Sequence, residues 1–349
     1  KWYPGEQLPR WSLSAYWRRD GQPCWNNPEL FADERQEHHY TVEDARAFVY
    51  RLTETLGLSS EYIQSGYEDT FYYMWRERTL PVNVDPFDSR LDDELERARL
   101  RRVFEYKLDK VIGYALPIVR DEDEAKGSAH WRSGPWFLRD DRMLLIPGDS
   151  AMGYRLPLDS LPWVSKADYP YLIDADPFAE QAPLSSAAEL NRTVELRMQS
   201  STASHLQALK HTSEAQPPEK FKSAAGLTRT ALVVEVRNPH RANGPKLEFS
   251  SPESTMLYVF MPPLKHLDDY LELLAAVEHT AATLGLKIVI EGYAPPRDAR
   301  LTVLQVTPDP GVIEVNIHPA NNWNELVENT EFLYQAAHET RLSRSEERR

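Results

Sequence analysis

Apolar residues recur along the chain with two periods, about 3.6 and 2, and the places where one gives way to the other mark out its elements. Phe48, Leu52 and Leu56 fall on one helical face, Asp44 lies in what would be the first turn, and Gly57 follows the last apolar position. With Thr41 as N-cap, the pattern predicts a helix through Leu56. Leu95, Leu100, Val103, Phe104, Leu108 and Val111 form a second stripe beside Glu/Arg pairs, which predicts a helix from about Asp92 to Lys110. From Gly113 to Trp163 short apolar runs (YALPIV, WFL, MLLI) alternate with turns such as PGD, the look of strands and hairpins. Residues 1–40, rich in Trp, Pro and charge, read as irregular or hairpin-containing, with little helix.

The final third is the most regular. TALVVEV and MLYVFM read as strands, and a stripe of Leu267, Tyr270, Leu271, Leu274, Val277, Ala281 and Leu284 reads as a helix ended by Gly285. KIVIEGY follows as a strand, so MLYVFM, helix and KIVIEGY form a βαβ-like crossover. LTVLQVT and VIEVNI flank Pro-Asp-Pro-Gly and should pair as an antiparallel hairpin. If Thr307 pairs with Val312 there, Gln305 lies opposite Glu314. A closing helix is expected from about Trp323 to Leu342. Between the halves, PLSSAAEL, QSSTASH and HTSEAQPPEKFKSAAG lose the pattern and read as a linker with one short helix. The expected organisation is an N-terminal mixed helical and β lobe over 1–179, a linker or surface insertion over 180–228, and a sheet-helix lobe over 229–349.

In VIEVNIH the polar residues Glu314, Asn316 and His318 share one face of a strand while Ile313, Val315 and Ile317 share the other. The apolar face is expected to pack, leaving the polar one wet or chemical. Two other strands of this third carry carboxylates: Glu235, on one face with Arg237, and Glu291, closing KIVIEGY. A charge on a sheet of Val, Ile and Leu is costly unless paired or bound to a metal, so several together suggest a cation. A donor set of carboxylate oxygen with Asn and neutral His suits Mg²⁺ or Mn²⁺ better than zinc. Each residue also has a bland reading: Glu235 pairing among the neighbours of Arg237, Glu314 meeting Arg297 or Arg300, and His318 capping a turn. The loop EGYAPPRDARL is stiffened by two prolines, and Arg297 and Arg300 could grip a phosphate or carboxylate there.

Composition narrows the partners. Of the 349 residues 41% are hydrophobic and 11% aromatic, enough for a sizeable core, and the formal charge of −14 disfavours nucleic acid and anionic membrane. A single cysteine, Cys24, permits no intrachain disulfide and fits a reducing, cytoplasmic setting. No apolar run is long enough to span a bilayer, and the start, KWYPGEQLPRW, reads as a piece of a longer chain. The sequence has no G-x-x-x-x-G-K-S/T loop, dinucleotide fingerprint or H-E-x-x-H motif. PGDSAMG matches a nucleophile elbow only loosely, and Ser150 reads as a turn serine.

VFMPPL (Val259–Leu264) and VIEGYAPPRDARLTVLQVTPDPGVIEVNIHPA (Val289–Ala320) resemble the amidoligase family of bacterial proteins, as do the earlier stretches YPGEQLPRW, GYEDTFYYMWRERTLPVNVDPFDSRLDD and WRSGPWFLRDDRMLLIPGDSAMGYRLPLDSLPW. In that family this region usually follows a transglutaminase-like domain. The resemblance implies membership of the glutamine synthetase and glutamate-cysteine ligase superfamily, whose members join a carboxylate to an amine using ATP. It implies an α+β fold: an antiparallel or mixed sheet with helices on one side, a glutamine synthetase-like lobe, beside a helix-containing N-terminal lobe. By the resemblance, Glu314 would be the leading catalytic metal ligand, Glu235 and Glu291 further metal ligands, and Asn316 and His318 part of the metal or nucleotide shell. Arg297 and Arg237 would neutralise phosphate or orient an amino-acid-like or peptide substrate. It further implies a Gly-rich block ending in Asn-His beyond the segment that stops here at LSRSEERR, so this chain is expected to work with the C-terminal remainder of the polypeptide. The competing reading is a non-catalytic peptide- or protein-binding scaffold. That reading predicts carboxylates tied up with Arg and an exposed aromatic patch near Trp11, Trp17 and Trp25.

Overall fold

The computed structural model describes residues 13–33, 35–69, 71, 78, 110–123, 128–138, 141–147, 154–172, 181–208, 216–238, 254–309, 312–317 and 319–342. Residues 92–109 of the helix predicted over 92–110, and Ser150, lie outside them. Twelve strands and four helices occupy the described residues. Two compact units divide the chain: unit 1 comprises Lys1–Cys24, Gln181–Leu184 and Asp298–Arg349, and unit 2 comprises Trp25–Glu180 and Ser185–Arg297.

Unit 2 is built on a seven-stranded mixed sheet. Its strands are β2 (Gln64–Glu68), β3 (Val111–Pro117), β6 (Met143–Pro147), β7 (Tyr154–Arg155), β8 (Ala231–Arg237), β9 (Met256–Met261) and β10 (Ile288–Gly292). The order across the sheet is β10-β9-β8-β3-β2-β6-β7, with β10 parallel to β9, β2 parallel to β6 and the other pairs antiparallel. A two-stranded ribbon, β4 (Val119–Asp123) with β5 (Ser128–Arg132), stands beside it. Three helices pack on one another: α1 (Val42–Leu56), α2 (Ala187–Ala208) and α3 (Leu267–Leu284).

Local chemistry explains the helix limits. Thr41 and Asp44 form the capping box that starts α1, and Gly57 closes it in the left-handed region. Gly285 does the same for α3, which then leads into β10 as the expected parallel crossover. The stretch expected as a linker with one short helix instead carries the 22-residue α2. Its Ser- and Thr-rich composition disguised it, because the helix is held by packing at Val194, which is fully buried, more than by a clean apolar stripe.

The two faces of the seven-stranded sheet differ. Tyr114 on β3 is buried near Glu43, Arg46 and Tyr50 of α1, and burial pushes its phenol pKa up. Tyr114 pairs with Val234, so their face is the helix-covered one and the helices lie on one side, as expected. The opposite face carries Ala115, Met143, Leu145 and Val233, packed under Trp136, Leu138 and Leu161 rather than under a helix. The architecture is α+β.

Unit 1 holds a three-stranded antiparallel sheet in the order β1 (Leu13–Arg18), β11 (Leu301–Asp309), β12 (Val312–Asn316), followed by α4 (Trp323–Glu339). The β11–β12 hairpin forms as predicted, but its register is two residues tighter: Asp309 pairs with Val312, Thr307 with Glu314 and Gln305 with Asn316. A slip of two preserves the faces, since strand side chains alternate with period 2. The expectation that Ile313, Val315 and Ile317 pack is overturned, for all three are exposed.

Candidate functional site

Glu235 lies near the end of β8, with Gly113 of β3 and Tyr258 of β9 directly beside it in the sheet. Directly paired residues point to the same side, so Glu235, Arg237, Tyr258 and Val233 share the face away from the helices. The apolar cluster under Trp136 covers the Val233 end of that face, and the charged residues begin where it stops. Gly113 is needed there: a Cβ would sit 2.9 Å from the Val234 carbonyl and 3.0 Å from the Glu235 Cβ.

Arg237 gathers the carboxylates. One terminal nitrogen lies 3.2 Å from Glu235 Oε1, and the other donates to Glu291 Oε1 on β10 at 2.5 Å. To reach β10 the guanidinium crosses β9 over the Tyr258 ring, 3.7 Å from its centroid, a cation–π contact that fixes its plane. Glu291 itself pairs with Phe260, and its second oxygen is buried with no hydrogen-bond partner among the described residues. The next residue, Gly292, has φ +99°, and a Cβ there would lie 2.5 Å from the nitrogen and the oxygen of Met261. Only glycine lets β10 press this close to β9, which sets where the Glu291 carboxylate points.

A third buried carboxylate, Glu68, stands on the same face. It is two residues along β2 from Gly66, which pairs with Gly113 and so with the row of Glu235. Strand β2 is two strands from β8, roughly 10 Å at ~4.8 Å per step. Sequence reasoning missed Glu68, although the alternation Gln64, Gly66, Glu68 in QSGYE was a signal for a polar face. Among the described residues no group of three or more His, Cys, Asp and Glu side chains is placed to hold a metal ion.

The other predicted residues are placed elsewhere. Arg297 is exposed in the loop after β10. Glu314 and Asn316 are exposed on β12 of unit 1, beside Thr307 and Gln305, on a different sheet from Glu235 and Glu291. Arg300 donates to both oxygens of Asp298 and to the Ala182 carbonyl at 2.7 Å. His318 and Trp11 lie outside the described residues. Trp17 is exposed, while Trp25 stacks on Phe31 with ring centroids 4.7 Å apart.

A second charged cluster, also missed from sequence, ties β4, β5, α2 and α3 together. Arg120 makes a two-pronged pair with Glu272 at 3.0 and 2.9 Å and meets Asp269 at 2.9 Å. Glu272 also accepts from Trp131 Nε1 at 2.7 Å and from Arg197 at 2.6 Å. Burial pushes the Asp269 carboxyl above its usual range despite the neighbouring Arg120. Asp269 and Glu272 stand three apart among the apolar residues of α3, a sign in the sequence that this helix buries charge. With every charge matched, this cluster is a structural clasp.

A family model described as "putative amidoligase enzyme" matches residues 1–347 of the chain. No curated protein and no solved structure matches it.

Proposed function

The chain belongs to the family described as "putative amidoligase enzyme", and on that premise we propose that it carries part of the reaction face of an ATP- and Mg²⁺-dependent carboxylate–amine ligase. The observation behind this reading is the buried Glu235–Arg237–Glu291 cluster, on the sheet face the helices leave free, with one oxygen of Glu291 still lacking a partner among the described residues.

Such a ligase converts an acid to an acyl phosphate at the expense of ATP, and an amine then displaces phosphate and gives up a proton. The site must therefore hold several anionic oxygens together with fixed positive charge. Mg²⁺ commonly takes only one or two carboxylates and completes its shell with water and phosphate oxygens. Glu235 and Glu291 fit that need as a pair, and Glu291 Oε2, buried without a hydrogen-bond partner among the described residues, is the oxygen we assign to a cation. When bound, the metal would neutralise phosphate charge. Arg237, held in plane by Tyr258, is the chain's own fixed cation, suited to orient the acid or its phosphate. Arg297 on the exposed loop is the proposed contact to phosphate or to an amino-acid-like or peptide substrate. In unit 1, Glu314 and Asn316 are the proposed metal and nucleotide contacts.

One observation favours a second reading, a binding scaffold: Arg237 already neutralises much of the carboxylate pair. The two are separated by thermal unfolding of the 349-residue chain with and without Mg²⁺-ATP, for wild type, Glu291→Gln and Glu314→Ala. A ligand at about 100 times its dissociation constant adds roughly 2.7 kcal/mol, a rise of several degrees. The ligase reading expects that rise in wild type and its loss in Glu291→Gln. A wild-type midpoint indifferent to Mg²⁺ and to Mg²⁺-ATP would leave the scaffold.

A further inference from the structure

The sheet of unit 1 presents one face with no charged residue. From the register, Leu13, Ala15 and Trp17 of β1, Thr302, Leu304 and Val306 of β11, and Ile313 and Val315 of β12 share it, with Ile317 following on. A sheet's apolar face is normally the one that is covered. Here Leu13, Trp17, Ile313, Val315 and Ile317 are between 40% and 66% exposed. The opposite face holds Ser14, Tyr16, Val303, Gln305, Thr307, Glu314, Asn316 and the buried Arg18 and Leu301. The charged and polar groups thus gather on one side with part of the apolar residues, and the side without any charge is the bare one.

We propose that this face is a homodimer interface, covered by the same face of a second copy of the chain, the two sheets stacking about 10 Å apart across a two-fold axis. Size supports a copy. At ~150–250 Å² for a large apolar side chain, the exposed fractions amount to roughly 500 Å² per chain, so two copies bury about 1,000 Å², the lower bound for a specific interface. That is also at the upper end of the patch an ordinary monomer leaves bare. Charge supports it too. Each copy carries −14, so copies repel except through a patch with no charge of its own, and the face has no basic or acidic group with which to select a charged partner. The inference does not depend on the ligase reading.

Sedimentation of the full chain from ~1 to ~100 µM, at low and at high salt, tests it. The expected result is a monomer–dimer equilibrium that tightens with salt, because salt screens the repulsion between acidic copies and leaves apolar contact intact. Val315→Lys on β12 and Ala15→Lys on β1 each bury an unpaired charge and weaken the dimer roughly a hundredfold. Both positions are exposed in one chain, so circular dichroism should show the fold unchanged. Gln305→Lys, on the other face, leaves the dimer as it was. A chain monomeric throughout the range overturns the proposal. So does a dimer that survives both lysines, or one that loosens as salt rises.

Discussion

Replacing Arg237 with Met keeps most of the side chain's length and apolar stem but removes the charge that holds Glu235 and Glu291. The three side chains are 10%, 4% and 18% exposed, so solvent screening rescues little of the loss. Breaking a buried ion pair by removing one partner typically costs about 3–5 kcal/mol, because the remaining charge is stranded. At about 2–4 °C per kcal/mol for a domain of this size, the melting midpoint should fall by roughly 6–20 °C at neutral pH. A divalent cation can stand where the guanidinium stood, so millimolar-scale Mg²⁺ should recover part of the loss in Arg237→Met, up to about 2.7 kcal/mol at 100 times its dissociation constant. Melts followed by circular dichroism at neutral pH, with and without Mg²⁺, read both effects. A midpoint lowered by less than about 2 °C would refute the burial argument, and a large loss that Mg²⁺ leaves untouched would refute the fit of the carboxylate pair to a metal.

The clasp on α3 gives a second expectation. Glu272→Gln leaves Arg120, Arg197 and the Trp131 N–H around a neutral amide and should cost about 3–5 kcal/mol, measured by urea unfolding; Asp269→Asn, which removes a carboxyl that burial already disfavours, should cost clearly less. In unit 1, Arg18 holds the Asp20 carboxyl below its usual value, so the pair stabilises the fold above the ordinary carboxylate pKa and loses its effect as pH falls through the lowered one. Asp20→Asn should therefore lower stability at pH 7, with the difference from wild type fading in acid.

Much of the fold was legible. The helices α1 and α3, their caps, the β9-α3-β10 crossover and the β11–β12 hairpin all follow from local periodicity and turn residues, which act within a few residues of chain. The helix α2 was not, because its Ser- and Thr-rich sequence gains its helicity from contacts with α1 and α3. Of the candidate residues, Glu235, Arg237 and Glu291 come together; the sequence suggested carboxylates gathered around a cation, and the cation found between these two is Arg237. Glu68 escaped notice because a single carboxylate at a strand end gains meaning only from its place in a sheet.

The sequence by itself determined which side chains share a face, since alternation along a strand is a property of the backbone. That is why Glu235 travels with Arg237, and Ile313 with Val315. Only the tertiary structure decided which faces meet. Arg237 reaches Glu291, 54 positions away, because β9 lies between β8 and β10 in the sheet, an order set by the crossover helix and the covering of a shared apolar face. The same holds for β12, whose apolar side looked destined for a core. Whether such a side is covered depends on what packs against it, and in this chain the bare face of unit 1 is left for another surface to bury.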